Sequence, residues 1–497
     1  MVYVSTHSNR TTTASLRAVI TIVGFLILPG SVLATGAVAA PDGNSGGTVR
    51  WSRALTEASR PGPSIMDSRF RKTLPAVHQP EITVISPTPN SAAEWDVYEL
   101  TIENHDSYAN PFWDVLITGT FTGPNSQVVT AEGFYYDANT WKLRFSPTQT
   151  GTWQYSLQFT TSGGVAENSG SFQCTEPAED NHGFVSIADG NPHTYVHSDG
   201  TVFIPVGING HTPAVTAAFL GFDPGSSQVT DMWDYITNKQ INTYRLHMFH
   251  QTMFPTSFDW NSLEGQANLL YNTGSLDSYN LEDAKLIDRW LSQTKERNIY
   301  WYMCLFTIFD ITEYPFSQCY WSTSLGGPFP SLSVTYTAGY PDGLALQEKY
   351  VRYVVNRYAA FRNVFVWEYN NEYGSFSSPA WLQAMDETID QADPLQRPHT
   401  VSFWNFNWSK ISLVDSSPAI DITDDHCYPG SGFTDFTIDS LIQYQASYRY
   451  NKYSKPVMFG EYGGGEQNLA QHWHDYERIG YWAGFTAGAN MLIWFSG

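Results

Sequence analysis

From about residue 182 to Gly497 the chain alternates between short strand-like runs, eight in number, and amphipathic helical runs. Repeated βα units build a parallel sheet, because each helix carries the chain back across the sheet to start the next strand in the same direction. The strand-like runs are residues 202–208, 241–249, 299–306, 364–372, 399–404, 420–428, 456–463 and 491–496. Between them, residues 281–295 and 344–361 read as helices. In the first, Ala284, Ile287, Trp290 and Leu291 recur at three- and four-residue steps, which makes one face apolar. Eight such units fit a closed (β/α)8 TIM barrel over residues 179–497 better than an open doubly wound sheet. No Gly-rich phosphate loop follows any strand, which argues against a nucleotide site. The chain stops directly after the eighth strand, with no eighth helix, so the expectation is a fragment of a longer chain.

Residues 81–178 have a different rhythm. Short alternating segments at 97–102, 113–120, 127–136, 141–145 and 151–159 are separated by breakers such as Gly123-Pro124-Asn125 and Ser162-Gly163-Gly164. Strands at that spacing, with no helical period, predict an all-β immunoglobulin-like sandwich whose core takes Trp141, Phe145, Trp153 and Tyr155. Residues 40–80, rich in Gly, Ser, Pro and Arg, read as a linker or mobile arm. Residues 1–39 read as a signal peptide. Arg10 and Arg17 precede an apolar run at 18–28, and Ala37-Val38-Ala39 offers a small-residue cleavage site. The run is short of the roughly 20 residues that span a bilayer, so export to the outside or the periplasm is favoured over a retained anchor, and no membrane insertion is expected after cleavage.

A balance of 26 Lys+Arg against 48 Asp+Glu, net −22, makes nucleic acid an unsuitable partner. The aromatic share of 15% suits a large core, and it equally suits sugar faces, on which flat rings stack. Of four cysteines, Cys304 and Cys319 are nearest in sequence, but spacing does not assign a pairing, and none sits in a CxxC.

In a barrel the chemistry lies at the C-terminal strand ends. Those ends carry Asn209 and His211, then Arg245 and His247, then Asn371-Glu372, Trp404, His426 and Tyr428, Glu461, and Trp494. Glutamates on the fourth and seventh strands face each other across the mouth, and two opposed carboxyl groups are what glycoside hydrolysis requires. Val366-Trp367-Glu368-Tyr369-Asn370-Asn371-Glu372 resembles the strand-four signature of clan A retaining glycoside hydrolases, a cellulase-like and apiosidase-like superfamily. Met458-Phe459-Gly460-Glu461-Tyr462-Gly463 resembles its strand-seven signature. Arg245 matches the arginine ending strand two, His426-x-Tyr428 looks like the strand-six motif, and Trp494 falls where many members carry a tryptophan platform.

The resemblance implies a secreted hydrolase that cleaves β-linked poly- or oligosaccharide by double displacement. Glu461 is then the nucleophile, held ionised by Tyr428 and Arg245, and Glu372 is the acid and then the base. Asn371 contacts the sugar 2-hydroxyl, and Trp494 floors the cleaved subsite. His211 and His247 either touch sugar hydroxyls or are satisfied packing histidines, and Trp404 is either a subsite wall or rim packing. Glu368, four residues before Glu372 on the same strand-like run and so pointing the same way but deeper in the barrel, is expected to be a buried partner of Arg245. Aromatic residues in the long loop at 310–342, including Trp321 and Phe329, are expected to wall the cleft. No metal and no cofactor is expected, because Asp424, Asp425 and His426, like the pairs His247 with His250 and His472 with His474, lack the spacing of a metal-dependent barrel. The competing readings are a catalytically silent carbohydrate- or matrix-binding protein and a uronate lyase. The lyase needs a cluster of Arg or Lys, and the mouth offers only Arg245.

Overall fold

The computed structural model describes residues 79–210, 212–222, 226–248, 275–307, 316, 320–372, 377–403, 408–428, 438–463 and 473–494. The leader at 1–39 and nearly all of the arm at 40–80 lie outside them.

Nine strands come first: Thr83–Ile85 (β1), Ser91–Ala93 (β2), Tyr98–Glu103 (β3), Leu116–Thr122 (β4), Val128–Glu132 (β5), Phe134–Asp137 (β6), Thr140–Phe145 (β7), Gly151–Thr161 (β8) and Gly164–Thr175 (β9). They form two sheets, ordered β1-β3-β7-β6 and β2-β9-β8-β4-β5. In β3 and β8 every second residue is buried, which is the period-2 signature of a sheet with one face on a core. The buried faces of the two sheets meet in one cluster holding Leu100, Phe121, Trp141, Leu143, Phe145, Trp153, Tyr155 and Phe172. This is a two-sheet sandwich. The run at 127–136 is two strands, not one: β5 pairs with β4 in one sheet, and β6 pairs with β7 in the other. Gly133 makes the switch possible, since a Cβ there would lie 2.8 Å from both the Ile117 side chain and the Lys142 carbonyl.

A small antiparallel sheet follows, made of Val185–Ala188 (β10), Asn191–His197 (β11) and Val202–Phe203 (β12). The run at 202–208 is therefore also divided. β12 belongs to this sheet, and the first barrel strand starts only after Pro205, which has no amide hydrogen to donate. Val185, Tyr195 and Phe203 cluster with Tyr300, Tyr302, Phe365, Val366, Ile422, Met458 and Leu492, all but the last at or near the N-terminal ends of barrel strands. The small sheet thus seals the barrel floor.

The barrel runs Val206–Gly210 (β13), Pro213–Phe219 (α1), Ser226–Asn238 (α2), Thr243–His247 (β14), Leu281–Lys295 (α3), Tyr300–Thr307 (β15), Pro341–Tyr358 (α4), Val364–Asn371 (β16), Pro379–Ala392 (α5), His399–Thr400 (β17), Trp408–Asp415 (α6), Thr423–Cys427 (β18), Ile438–Lys452 (α7), Val457–Tyr462 (β19), Trp473–Thr486 (α8) and Ala489–Trp494 (β20). Its eight parallel strands are ordered β17-β16-β15-β14-β13-β20-β19-β18. Across the remaining seam, Ile422 N–H donates to the His399 carbonyl (3.2 Å) and His426 N–H to that of Phe403 (2.9 Å), which nearly closes the circle. β14, β15 and β16 are buried at every position, because helices cover one face and the barrel interior the other. Helix α3 spans the residues read from its periodicity. The Asn280 side chain caps it by accepting from the amides of Glu282 and Asp283.

Sandwich and barrel share packing. Phe134 of β6 belongs to the main barrel core, together with Tyr353 and Phe361. Arg144 of β7 donates to Asp288 on α3 (2.6 Å), to the Arg357 carbonyl on α4 (2.7 Å) and to Glu99 on β3 (2.8 Å). Trp113, just ahead of β4, donates its indole N–H to the Asp277 carbonyl (2.8 Å). Trp321 and Phe329 correct the cleft-wall expectation. Both are fully buried in the barrel core, with Trp321 against Phe306 and Phe329. An aromatic ring in a long loop finds more apolar surface by folding inward than by facing solvent. Cys304 is a buried free thiol whose Sγ lies 3.0 Å from the Phe306 carbonyl. Cys319 lies outside the described residues. No described helix is long and apolar enough to cross a membrane.

Candidate active site

Glu372 is the residue directly after β16, and Glu461 is the fifth residue of β19, so strands four and seven bring both to the C-terminal mouth. Both are almost completely buried. Strand register slips beside them, between Asp425 and His426 where β18 meets β19, and between Phe459 and Tyr462 where β19 meets β20. Such irregularities re-aim side chains at barrel rims. Gly460 belongs to the same device. Its amide donates to Asp424 Oδ1 (2.6 Å), and a Cβ would sit 2.6 Å from Asp424 Oδ2.

His426 links the pair. Its Nδ1 lies 2.9 Å from Glu372 Oε1 and 3.3 Å from Glu461 Oε2, and the ligating atoms of all three residues lie within 4.8 Å of one another. Burial, with Arg245 nearby, holds the His426 pKa far below its usual value, so the ring is neutral and presents Nδ1 to the carboxyl groups. Such a three-residue group could also hold a metal ion by distance alone.

Arg245 organises the floor beneath them. Its Nε and Nη2 grip Glu368 in a fork of two 2.7 Å bonds, Nη1 donates to Glu461 Oε1 at 2.7 Å, and Nη2 also reaches Asn371 Oδ1 at 2.7 Å. Asn209 Oδ1 (3.1 Å), His247 Nε2 (2.9 Å) and, at longer range, Ser402 Oγ (3.5 Å from Nη2) complete its shell. Tyr428 donates its hydroxyl to Glu461 Oε2, and burial beside that carboxylate keeps the phenol protonated. Asn371 also donates to Thr307 Oγ1 at 3.3 Å.

The two carboxyl groups have different surroundings, and their protonation follows. Burial, then the neighbouring Glu461, pushes the Glu372 pKa up to about 9. Burial also raises Glu461, but Arg245 and Tyr428 pull it back by charge and hydrogen bonding. In a coupled pair the first proton leaves the better-supported carboxyl, which is Glu461, and the second stays on Glu372. Glu372 Oε2 is buried and makes no hydrogen bond among the described residues, so a proton on it faces the site.

Glu372 also adopts φ 59, a left-handed conformation that costs a non-glycine residue about 1–3 kcal/mol. Ser402, just beyond β17, holds it: Glu372 N–H donates to Ser402 Oγ (3.0 Å), and Ser402 donates to Glu368 Oε1 (2.6 Å). Sequence reading passed over Ser402 and Thr307. Neither residue carries a sequence pattern that singles it out.

Arg245, His247, Asn371, Glu372, His426, Tyr428 and Glu461 thus converge, with Glu368 below them. His211, Trp404 and the side chain of Trp494 lie outside the described residues. The backbone of Trp494 pairs with Asn209 in the barrel wall.

The fold and mouth define a (β/α)8 barrel protein with two unlike carboxyl groups at its C-terminal face. Residues 91–160 match the profile of a domain of unknown function, DUF5060. A Bacteroides vulgatus protein provisionally named a glycoside hydrolase is 18% identical, with a TM-score of 0.59 over 82% of this chain and 73% of its own. A family 5 mannosidase of Rhizomucor miehei is 14% identical (TM-score 0.49, 63% of this chain, 86% of its own). A Bacteroides uniformis β-glucuronidase is 11% identical (TM-score 0.38, 84% of this chain, 45% of its own). The first of these shares the fold. No curated protein matches the chain.

Proposed function

We propose that this protein is a secreted glycoside hydrolase that cleaves β-linked poly- or oligosaccharide with retention, on a barrel of clan A type preceded by an immunoglobulin-like sandwich. The observation that carries the reading is the carboxyl pair. Both groups lie within hydrogen-bond reach of one imidazole nitrogen, with oxygens within 4.8 Å of each other. Retaining enzymes hold their carboxyl groups about 5–5.5 Å apart, and inverting ones leave about 6.5–9.5 Å for a water. The shared barrel with a protein provisionally named a glycoside hydrolase agrees with this.

In the first step a Glu461 oxygen bonds to the anomeric carbon. The glycosidic C–O bond breaks, and the Glu372 proton passes to the leaving oxygen. Esterified Glu461 carries no charge, so Glu372, now ionised, has a lowered pKa and takes a proton from water. That water attacks the same carbon and releases Glu461. Arg245 and Tyr428 aim Glu461 and stabilise it on departure. This reading assigns Asn371 to the 2-hydroxyl and Trp494 to the subsite floor, with His211 and Trp404 as candidate sugar contacts.

The test has two parts. A panel of β-linked glucans, mannans, galactans and pectic side chains is assayed for new reducing ends, and the anomer first formed is read by proton NMR. Retention supports the mechanism, and an inverted product removes Glu461 as nucleophile. Turnover at the wild-type rate by Glu461→Ala would sink the assignment.

A further inference from the structure

We propose that Ser402 is a positioning residue for the acid, fixing the direction in which Glu372 presents its proton. The inference rests on the glycosidase reading above.

The Glu372 backbone is left-handed, and its amide lies beyond the last ladder pair of β16 with β17, Glu368 with Thr400. Ser402 Oγ supplies the missing acceptor at 3.0 Å. The same hydroxyl donates to Glu368 Oε1 at 2.6 Å, and Glu368 is gripped by Arg245. One fully buried oxygen therefore joins the acid's backbone to the arginine that holds Glu461. Without it, Glu372 N–H is a buried donor lacking its acceptor, and nothing in this network offsets the strained φ. The backbone relaxes toward ordinary φ, and Oε2 swings off line. Glu461 keeps Arg245 Nη1 and Tyr428 through all of this. The defect therefore falls on proton transfer and spares the nucleophile.

A leaving group of low basicity needs little proton assistance, and a basic one needs it fully. The test compares the full chain with Ser402→Ala on aryl β-glycosides of the sugar it hydrolyses, from dinitrophenyl to phenyl. Displacing an acid by about 1 Å costs on the order of 10–100-fold. That loss in kcat/KM is expected for phenyl leaving groups, against less than about 3-fold for dinitrophenyl. For the latter, kcat and KM fall together as the glycosyl-enzyme accumulates. Equal losses across the series would overturn the proposal. Ser402→Cys, nearly the same size with a weak donor, gives the same pattern at smaller amplitude and serves if the alanine variant does not fold. A crystal structure of either variant reads the cause without substrate: Glu372 still near φ 59 refutes the positioning role. A wild-type chain inactive on every glycoside, with Glu372 relaxed in the variant, refutes the glycosidase reading and leaves the Ser402 clamp standing.

Discussion

Replacing Glu461 with Gln removes one negative charge from beside Glu372 and changes little else in shape, so it imitates the neutral ester of a glycosyl-enzyme. The size of the effect follows from the geometry. Charges within 4.8 Å of each other, at an effective dielectric near 20, interact by about 3 kcal/mol, which is roughly two pH units. Arg245, then less neutralised, pushes in the same direction. The Glu372 midpoint should fall from about 9 to near 7. Carbon-13 NMR of protein labelled at the glutamate carboxyl carbons, titrated from pH 5 to 10, reads that midpoint, with Glu372→Gln identifying the resonance. A midpoint that stays within half a pH unit of the wild-type value would show that the two carboxyl groups do not feel each other, and the acid-then-base assignment would fall with it.

Other outcomes follow from the same network. Because the folded pKa of Glu372 is raised, its contribution to stability is fully present below its unfolded value and is lost as pH rises toward about 9. That amounts to about 3 kcal/mol by pH 7, so Glu372→Gln should unfold a few degrees higher than wild type at pH 8 and no higher at pH 4 in calorimetric scans. Arg245→Met leaves Glu368 and Glu461 buried without their cation and should cost about 3–5 kcal/mol in urea melts, where a loss under 1 kcal/mol would contradict the geometry. Arg144→Ala should cost about 3 kcal/mol, the low end of that range, because Asp288 retains Arg357 and Glu99 retains Lys142. In a unit of roughly 400 residues that lowers the melting temperature by about 3–4 °C.

Much of the barrel was legible because its strands are buried on both faces and read as unbroken apolar runs, within which a charged residue such as Glu368 or Arg245 stands out. The divisions at Pro205 and Gly133 were hidden, because an alternating run looks the same whether it stays in one sheet or crosses to another. The two glutamates were visible by strand position. Their inequality followed only from the family resemblance, since its physical source is burial together with Arg245 and Tyr428 on other strands. Ser402 escaped because a lone serine carries no pattern, and its role exists only through a φ angle thirty positions away in the chain. Trp321 and Phe329 were not legible as core, because membership of a long loop says nothing about which way a ring turns.

Phe134, held within the barrel's own core, leaves the sandwich no hinge. A module on a flexible tether searches a volume and delivers what it catches at many distances. This one shares its core with the barrel, so the two stand at one fixed offset and should lose their fold together.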